Sequence, residues 1–332
     1  MGTRIGLGAM REAAAWVTGQ EYNRLALPYI RGRWYFVCPG YGDDGASGKT
    51  PLEALESFVE AEDRVTDGAG DGICLLSYGT TSADTTSYLT AAVTFDKSNV
   101  TVFGVCAPVP FAQRARIAND TATLTLASLM TVSGSNNRFI NMSITNYGTN
   151  VAAVGGVIVS GSRNYFDNVH MLGGGHATPG IVVGANSLTL TGSENLFNRC
   201  EFGTDTFDRG DSAGGEIILS SGGARNRFVE CETLTQRSAG TTAGAIKLGG
   251  SGDCITRDVV FERCRFLMYR EGNVAAEASV VIGTSPNNGF ILFDNCSRVG
   301  FTDWAGVATN RVFANNPVGH EAGGNFTVCN PS

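Results

Sequence analysis

The segment Thr204-Asp205-Thr206-Phe207-Asp208-Arg209-Gly210-Asp211 places three carboxylates within seven residues. Two or three carboxylates converging on one surface are what glycoside cleavage requires. One gives a proton to the leaving oxygen, and another acts as base or nucleophile. Asp205, Asp208 and Asp211 are therefore the candidate catalytic set. Arg237 and Arg270-Glu271 follow at intervals of 32 and 33 residues, which brings guanidinium groups into the same pattern. Glu201, Glu232 and Arg265 repeat that spacing at 31 and 33 residues. The competing reading for both stripes is ion pairing between neighbouring turns of a repetitive surface, with no catalysis, and the sequence favours it. Asp43-Asp44-Gly45 and Asp67-Gly68-Ala69-Gly70-Asp71 could hold calcium, but they lack the alternating acidic ligands of a calcium loop and read as Asp-Gly turns. The nine cysteines include no Cys-x-x-Cys pair, and His170, His176 and His320 are scattered. No metal and no cofactor is expected.

What must position such residues is set by composition. Glycine supplies 44 of 332 residues, while charged residues are 17% against a usual ~25%. The 42% apolar content is enough for a sizeable core and excludes a disordered chain. A balance of 24 basic and 31 acidic residues, net −7, argues against nucleic acid as partner. No stretch approaches the ~18 apolar residues of a membrane span, so no membrane partner is expected. The first ten residues contain no signal-peptide core, which points to a soluble protein made in a cytoplasm.

An internal repeat decides the fold. Asn137-Arg138-Phe139-Ile140-Asn141-Met142 recurs around Phe166, Phe197, Phe228, Phe261 and Phe293, at steps of 27, 31, 31, 33 and 32 residues. Three residues after each Phe stands Met142, Val169, Cys200, Cys231, Cys264 or Cys296. Val102-Phe103-Gly104-Val105-Cys106 reads as an earlier copy. Upstream lie short β-branched triplets after glycine: Val157–Val159, Ile181–Val183, Ile217–Leu219, Ile246–Leu248 and Val280–Ile282. They are too short for helices and read as strands. Strict strand alternation would put the Phe and the residue three on upon opposite faces. The two residues between them must therefore turn the chain, and Asn141, Asn168 and Asn295 suit a left-handed turn.

Short strands and turns at a period of 27–33 residues describe an all-β, single-stranded, right-handed parallel β-helix. The Phe positions and Cys200, Cys231, Cys264 and Cys296 would form inward ladders. Cys38 and Cys329, at opposite ends, could instead reach neighbouring chains. The N-terminal part differs: residues 1–32 read as an arm and 33–80 as a cap, with the coils and a C-terminal cap filling 81–332. Thr50 as N-cap, Pro51 at the first helical position and Glu53 predict a capping helix over about 51–62, with Leu52, Leu55, Phe58 and Val59 on its apolar face. The arm carries Met10, Trp16, Val17, Leu25, Leu27 and Ile30, which are expected to dock onto another chain.

The run Trp34-Tyr-Phe-Val-Cys-Pro-Gly-Tyr-Gly-Asp-Asp-Gly45, with Gly48-Lys-Thr-Pro-Leu-Glu-Ala-Leu55 and Gly72-Ile-Cys-Leu-Leu76, resembles the opening of pectin-lyase-like β-helix proteins encoded by tailed bacteriophages. The resemblance implies a β-helix, often trimeric, carried on a virion as tailspike, fibre or capsid decoration. The polygalacturonase-like patterns Asn-Thr-Asp, Gly-His-Gly and Arg-Ile-Lys are absent, and Gly175-His176 is followed by Ala177. The leading expectation is a non-enzymatic virion protein on the outer surface of the capsid or of the neck and tail. It would assemble in the host cytoplasm, form a homotrimer and dock on other virion proteins through its arm. The alternative is a tailspike that binds or cleaves host surface polysaccharide.

Overall fold

A computed structural model of the chain describes residues 27–111, 113–119, 126–210, 214–237, 243–249, 254–270, 279–284, 286, 288–306, 311–315, 318–320 and 326–328. Short strands separated by single sharp bends wind into a right-handed parallel β-helix with three ladders. The first ladder runs from Trp34–Val37 through Gly72–Leu76, Thr101–Val105 and the Phe-bearing strands to Val312–Asn315. The second carries Thr86–Leu89, Arg116–Asn119, Glu201–Asp208, Glu232–Arg237, Arg265–Arg270 and Ser297–Val299. The third is a separate eight-stranded sheet from Val93–Phe95 to Asp303–Ala305. Among the described strands every pairing is parallel, except that Phe326–Val328 lies antiparallel to Val318–His320.

The bend between the first and second ladders is one residue in the left-handed region. Asn141, Asn168 and Asn295 take it at φ 55°, 52° and 52°; Arg199, Glu230 and Arg263 take it equally, at 51°, 53° and 52°. Stacking against the neighbouring coil thus overrides the ~1–2 kcal/mol preference of such residues for right-handed backbone. A second left-handed row, Asn136, Arg163, Glu194 and Arg225, closes the bend before the Phe strands. Beside it the buried Asn137, Asn164, Asn195 and Asn226 form an amide ladder. Asn164, Asn195 and Asn226 each accept through Oδ1 from the backbone N–H of the asparagine one coil earlier, at 2.9 Å. Their Nδ2 groups donate to the carbonyls of Gly134, Gly161 and Gly192. A Cβ added to Gly161 or Gly192 would lie 1.9 Å from the carbonyl of the preceding coil's glycine, so only glycine fits there.

The core is a continuous aromatic stack. Phe139, Phe166, Phe197, Phe228, Phe261 and Phe293 are fully buried, and the central rings lie 4.5–4.9 Å apart and nearly parallel. Phe58 and Phe95 extend the stack at one end and Trp304 closes it at the other. Cys200, Cys231, Cys264 and Cys296 sit inward behind the bend, each thiol donating to a phenylalanine carbonyl of the preceding coil at 3.2–3.5 Å.

Three readings of the sequence need correction. The 51–62 helix is two pieces: a 3-10 turn, Pro51–Glu53, and a helix, Phe58–Arg64. Thr50 does cap the first, but Leu55 leaves the helical path to exchange backbone hydrogen bonds with Phe36 and Cys38, and Ser57 caps the second piece. Leu52 is consequently 86% exposed, off any apolar face, whereas Leu55 and Phe58 are buried. In the early copy, Val102 pairs with Phe139, so Phe103 is one place out of register. The strand aligned with Val157–Val159 is Leu188–Leu190, because Ile181 and Val183 fall in an exposed turn after a short helix, Ala177–Gly180.

Candidate functional site

The acidic loop lies at a break in the ladder register. Asp205 is exposed and accepts from its neighbour Thr206, at 3.2 Å. Asp208 turns back to accept from the Gly210 N–H at 2.8 Å, beyond a register irregularity separating it from Thr204, and Asp211 lies outside the described residues. Arg237 is buried, 2% exposed, and donates to the Ala243 carbonyl. Residues 205–207 fall between the pairs Thr204–Thr235 and Asp208–Gln236, where the register shifts. Arg209 instead points inward to a buried two-pronged bridge with Glu216, at 2.8 and 2.9 Å, which Ser187 completes. Nothing in the spacing of Arg209 and Glu216 marked that pair.

The other acidic regions are committed to backbone. Asp43 accepts from Gly45, Asp44 from Glu56 and Ser57, Asp67 from Ser98, and Asp71 from Arg33 and Thr66. Among the described residues no cluster of metal-ligating side chains forms. Cys38, which could have reached a neighbouring chain, is fully buried beneath its own, since the chain from Ala54 to Leu55 folds over it; Cys329 lies outside the described residues. Of the docking residues, Met10, Trp16, Val17 and Leu25 lie outside the described residues. Leu27 and Ile30 pack half-buried against the outer cluster of Trp34, Phe36, Cys38, Cys74 and Leu76 in their own chain. This departs from the expectation that they face another molecule: the outward side of the first strands is apolar and needs cover from within.

The arrangement that does form is a groove of about 650 Å³ over the bend between the first and second ladders. Phe103, Val105, Pro108 and Pro110 make one wall, while Asp167, Arg199, Glu201, Glu232 and Arg265 make the polar side. In-register stacking puts His170, Glu201, Glu232 and Arg265 in one outward column, one strand spacing apart. The segment following the first wall is tethered: the Phe111 ring rests on His170 at 5.1 Å, and Gln113 donates to the Asn168 carbonyl. Asn141 binds the Gly104 and Cys106 carbonyls and fixes the start of the loop.

Charges in the column are unequally matched. Arg265 pairs with Glu232, and Arg199 grips both oxygens of Asp167 at 2.7 and 2.9 Å. Glu201 is 5% exposed, and its Oε2 has no hydrogen-bond partner among the described residues. Burial, reinforced by the Glu232 charge, raises the Glu201 carboxyl from an ordinary 4.5 to about 8. Burial also lowers His170, which stays neutral while its Nε2 lies 2.9 Å from the Gly203 carbonyl. The Glu201–Glu232–Arg265 stripe was visible in the spacing; its enclosure by the 103–111 segment was not, because that contact joins residues about a hundred positions apart.

No protein-family model matches the chain, and no curated protein matches it. Solved structures do. The fold is similar to pectin methylesterase PemA from Erwinia chrysanthemi, with a TM-score of 0.57 and 14% identity over 90% of this chain and 92% of that one. It is also similar to pectate lyase Pel9A, at 0.53 and 16% over 86% and 79%. A pectin methylesterase from Aspergillus niger gives 0.50 and 14% over 88% of this chain and 87% of that one. At these identities the likeness is one of fold: the pectin-lyase-like right-handed β-helix.

Proposed function

We propose that this β-helix is a structural protein of a tailed-phage virion, displayed on the outer surface of the particle. The observation that carries this reading is how the outer bends use their charges. Arg163, Glu194 and Arg225 form a chain of ion pairs at 2.8 and 2.9 Å, Arg263 pairs with Glu230, and Arg199 with Asp167. Such contacts between coils decorate and level a rod. The likeness of the opening residues 34–76 to phage-encoded β-helix proteins supports the location. Imaging of intact particles that locates this chain on the capsid, neck or tail is the test, and its absence from purified virions would refute the reading.

A second reading, binding of host surface polysaccharide, is favoured by the groove over the bend. Purified protein incubated with host capsular and lipopolysaccharide glycans is expected to release no new ends. Release that vanishes in Asp205→Asn or Asp208→Asn protein would convert the structural reading into an enzymatic one.

A further inference from the structure

The groove over the bend contains one feature that the architecture does not use. Glu201 is nearly inaccessible, lines the cavity, and leaves Oε2 without a partner among the described residues. A buried polar atom in that state costs about 1–3 kcal/mol unless something satisfies it. The buried amides of the asparagine ladder, by contrast, are satisfied between coils. A ligand hydroxyl is the group that would complete the site.

The walls define the ligand class. The 650 Å³ volume lies within the ~300–1,000 Å³ of small-molecule sites. Phe103, Pro108 and Pro110 offer an apolar surface of the kind that the C–H face of a sugar ring covers. Opposite stand side chains able to accept from or donate to hydroxyls. Both arginines lining the groove are already engaged, Arg199 by Asp167 and Arg265 by Glu232. A ligand carboxylate would thus meet Asp167, Glu230 and Glu232 as well as arginines already paired, which disfavours it. A neutral ligand meets no such penalty. Since Glu201 holds its proton at neutral pH, it both donates to and accepts from a hydroxyl.

We propose that the groove between Phe103, Pro108 and Pro110 on one side and Glu201 on the other binds an uncharged, hydroxyl-rich saccharide, with Glu201 as its polar anchor. This rests on the polysaccharide-binding reading and gives that reading a site and a ligand class. The site lies over the one-residue bend between the first two ladders, away from the outer face of the third sheet, where Ile158, Thr189, Ile218, Lys247 and Ile282 stand in register.

The test uses the full chain against a printed panel of neutral gluco-, manno- and galacto-oligosaccharides, with oligogalacturonates and sialylated glycans alongside. Binding confined to neutral members is expected. Glu201→Leu should weaken it about tenfold or more, the equivalent of losing one buried hydrogen bond. Glu201→Gln should retain it and abolish the fall in affinity that wild-type protein shows above about pH 8. Because Glu201→Leu alters a nearly buried position, Pro110→Glu at the exposed rim provides a second variant, and it too should weaken binding. Preference for acidic glycans, or neutral binding that both variants leave intact, overturns the groove assignment while the polysaccharide reading stands. No binding to any member overturns both.

Discussion

A buried oxygen without a hydrogen-bond partner among the described residues sets Glu201 apart from the paired carboxylates of the bends. Its raised value means that the folded state holds a proton which the unfolded chain releases near 4.5. Stability from this group is fully present below that value and is lost as pH rises toward about 8, by up to ~1.4 kcal/mol per unit. Denaturant titrations from pH 4.5 to 8 should therefore show declining stability, and Glu201→Gln should flatten the slope. A slope identical in the two proteins would mean that Glu201 is solvated. Phe197 makes a different case at the same scale. Its ring is clasped between Phe166 at 4.8 Å and Phe228 at 4.6 Å, with nothing able to collapse into its place. Phe197→Ala should cost about 3–5 kcal/mol by urea unfolding. A loss under 1 kcal/mol would contradict a closed stack.

The ladders convert single residues into elements. One left-handed residue per bend suffices because each coil repeats the bend of the one before, and hydrogen bonds between coils fix it. The amide ladder is where this dependence is sharpest. Asn195 accepts from the Asn164 N–H at 2.9 Å and donates to the Gly161 carbonyl at 3.1 Å, all three residues being buried. Asn195→Ala removes one side chain and orphans two backbone groups, so a loss of roughly 1–3 kcal/mol for each is expected in thermal or urea melts. The ladder stops where Val259 and Ile291 replace asparagine at the same register, and there the equivalent substitution to alanine should act only through lost apolar contact. Equal costs at Asn195 and Val259 would show that the amides contribute no more than their volume.

For the whole molecule the two ends matter most. At the N-terminal end, Phe58 caps the aromatic stack from the short helix, and Leu27 and Ile30 cover the outer cluster around Trp34 and Phe36. The portion proposed to dock elsewhere is then residues 1–26. Deleting those 26 residues should leave a folded rod with an unchanged melting temperature that fails to incorporate into particles. Deletion through Ile30 should in addition lower the melting temperature, because the outer cluster is then uncovered. Aggregation or a large destabilisation on removing residues 1–26 alone would make them part of the rod's own fold and defeat the docking reading.

The architecture is legible in the residues alone, since a solenoid writes its contacts at a fixed period. Phe139 through Phe293 and the cysteines three residues on identify both the inward rows and the bend between them. Where the period breaks, local pattern misled: Ile181–Val183 looks like the strand that Leu188–Leu190 forms, and Phe103 displaced Val102 in the register. The capping signal at Thr50 was legible, but Leu55 obeys a backbone pairing with Phe36 and Cys38 that no helical periodicity reports. The candidate site was half legible. The Glu201–Glu232–Arg265 spacing follows from the repeat, while the three-aspartate loop begins where a strand irregularity interrupts that repeat after Thr204. That the segment after Phe103 encloses the column, with Glu201 buried and its Oε2 without a hydrogen-bond partner among the described residues, emerges from the folded chain. Enclosure of that kind depends on long-range contacts outside the repeat, and a carboxyl's proton affinity follows from what surrounds it in space.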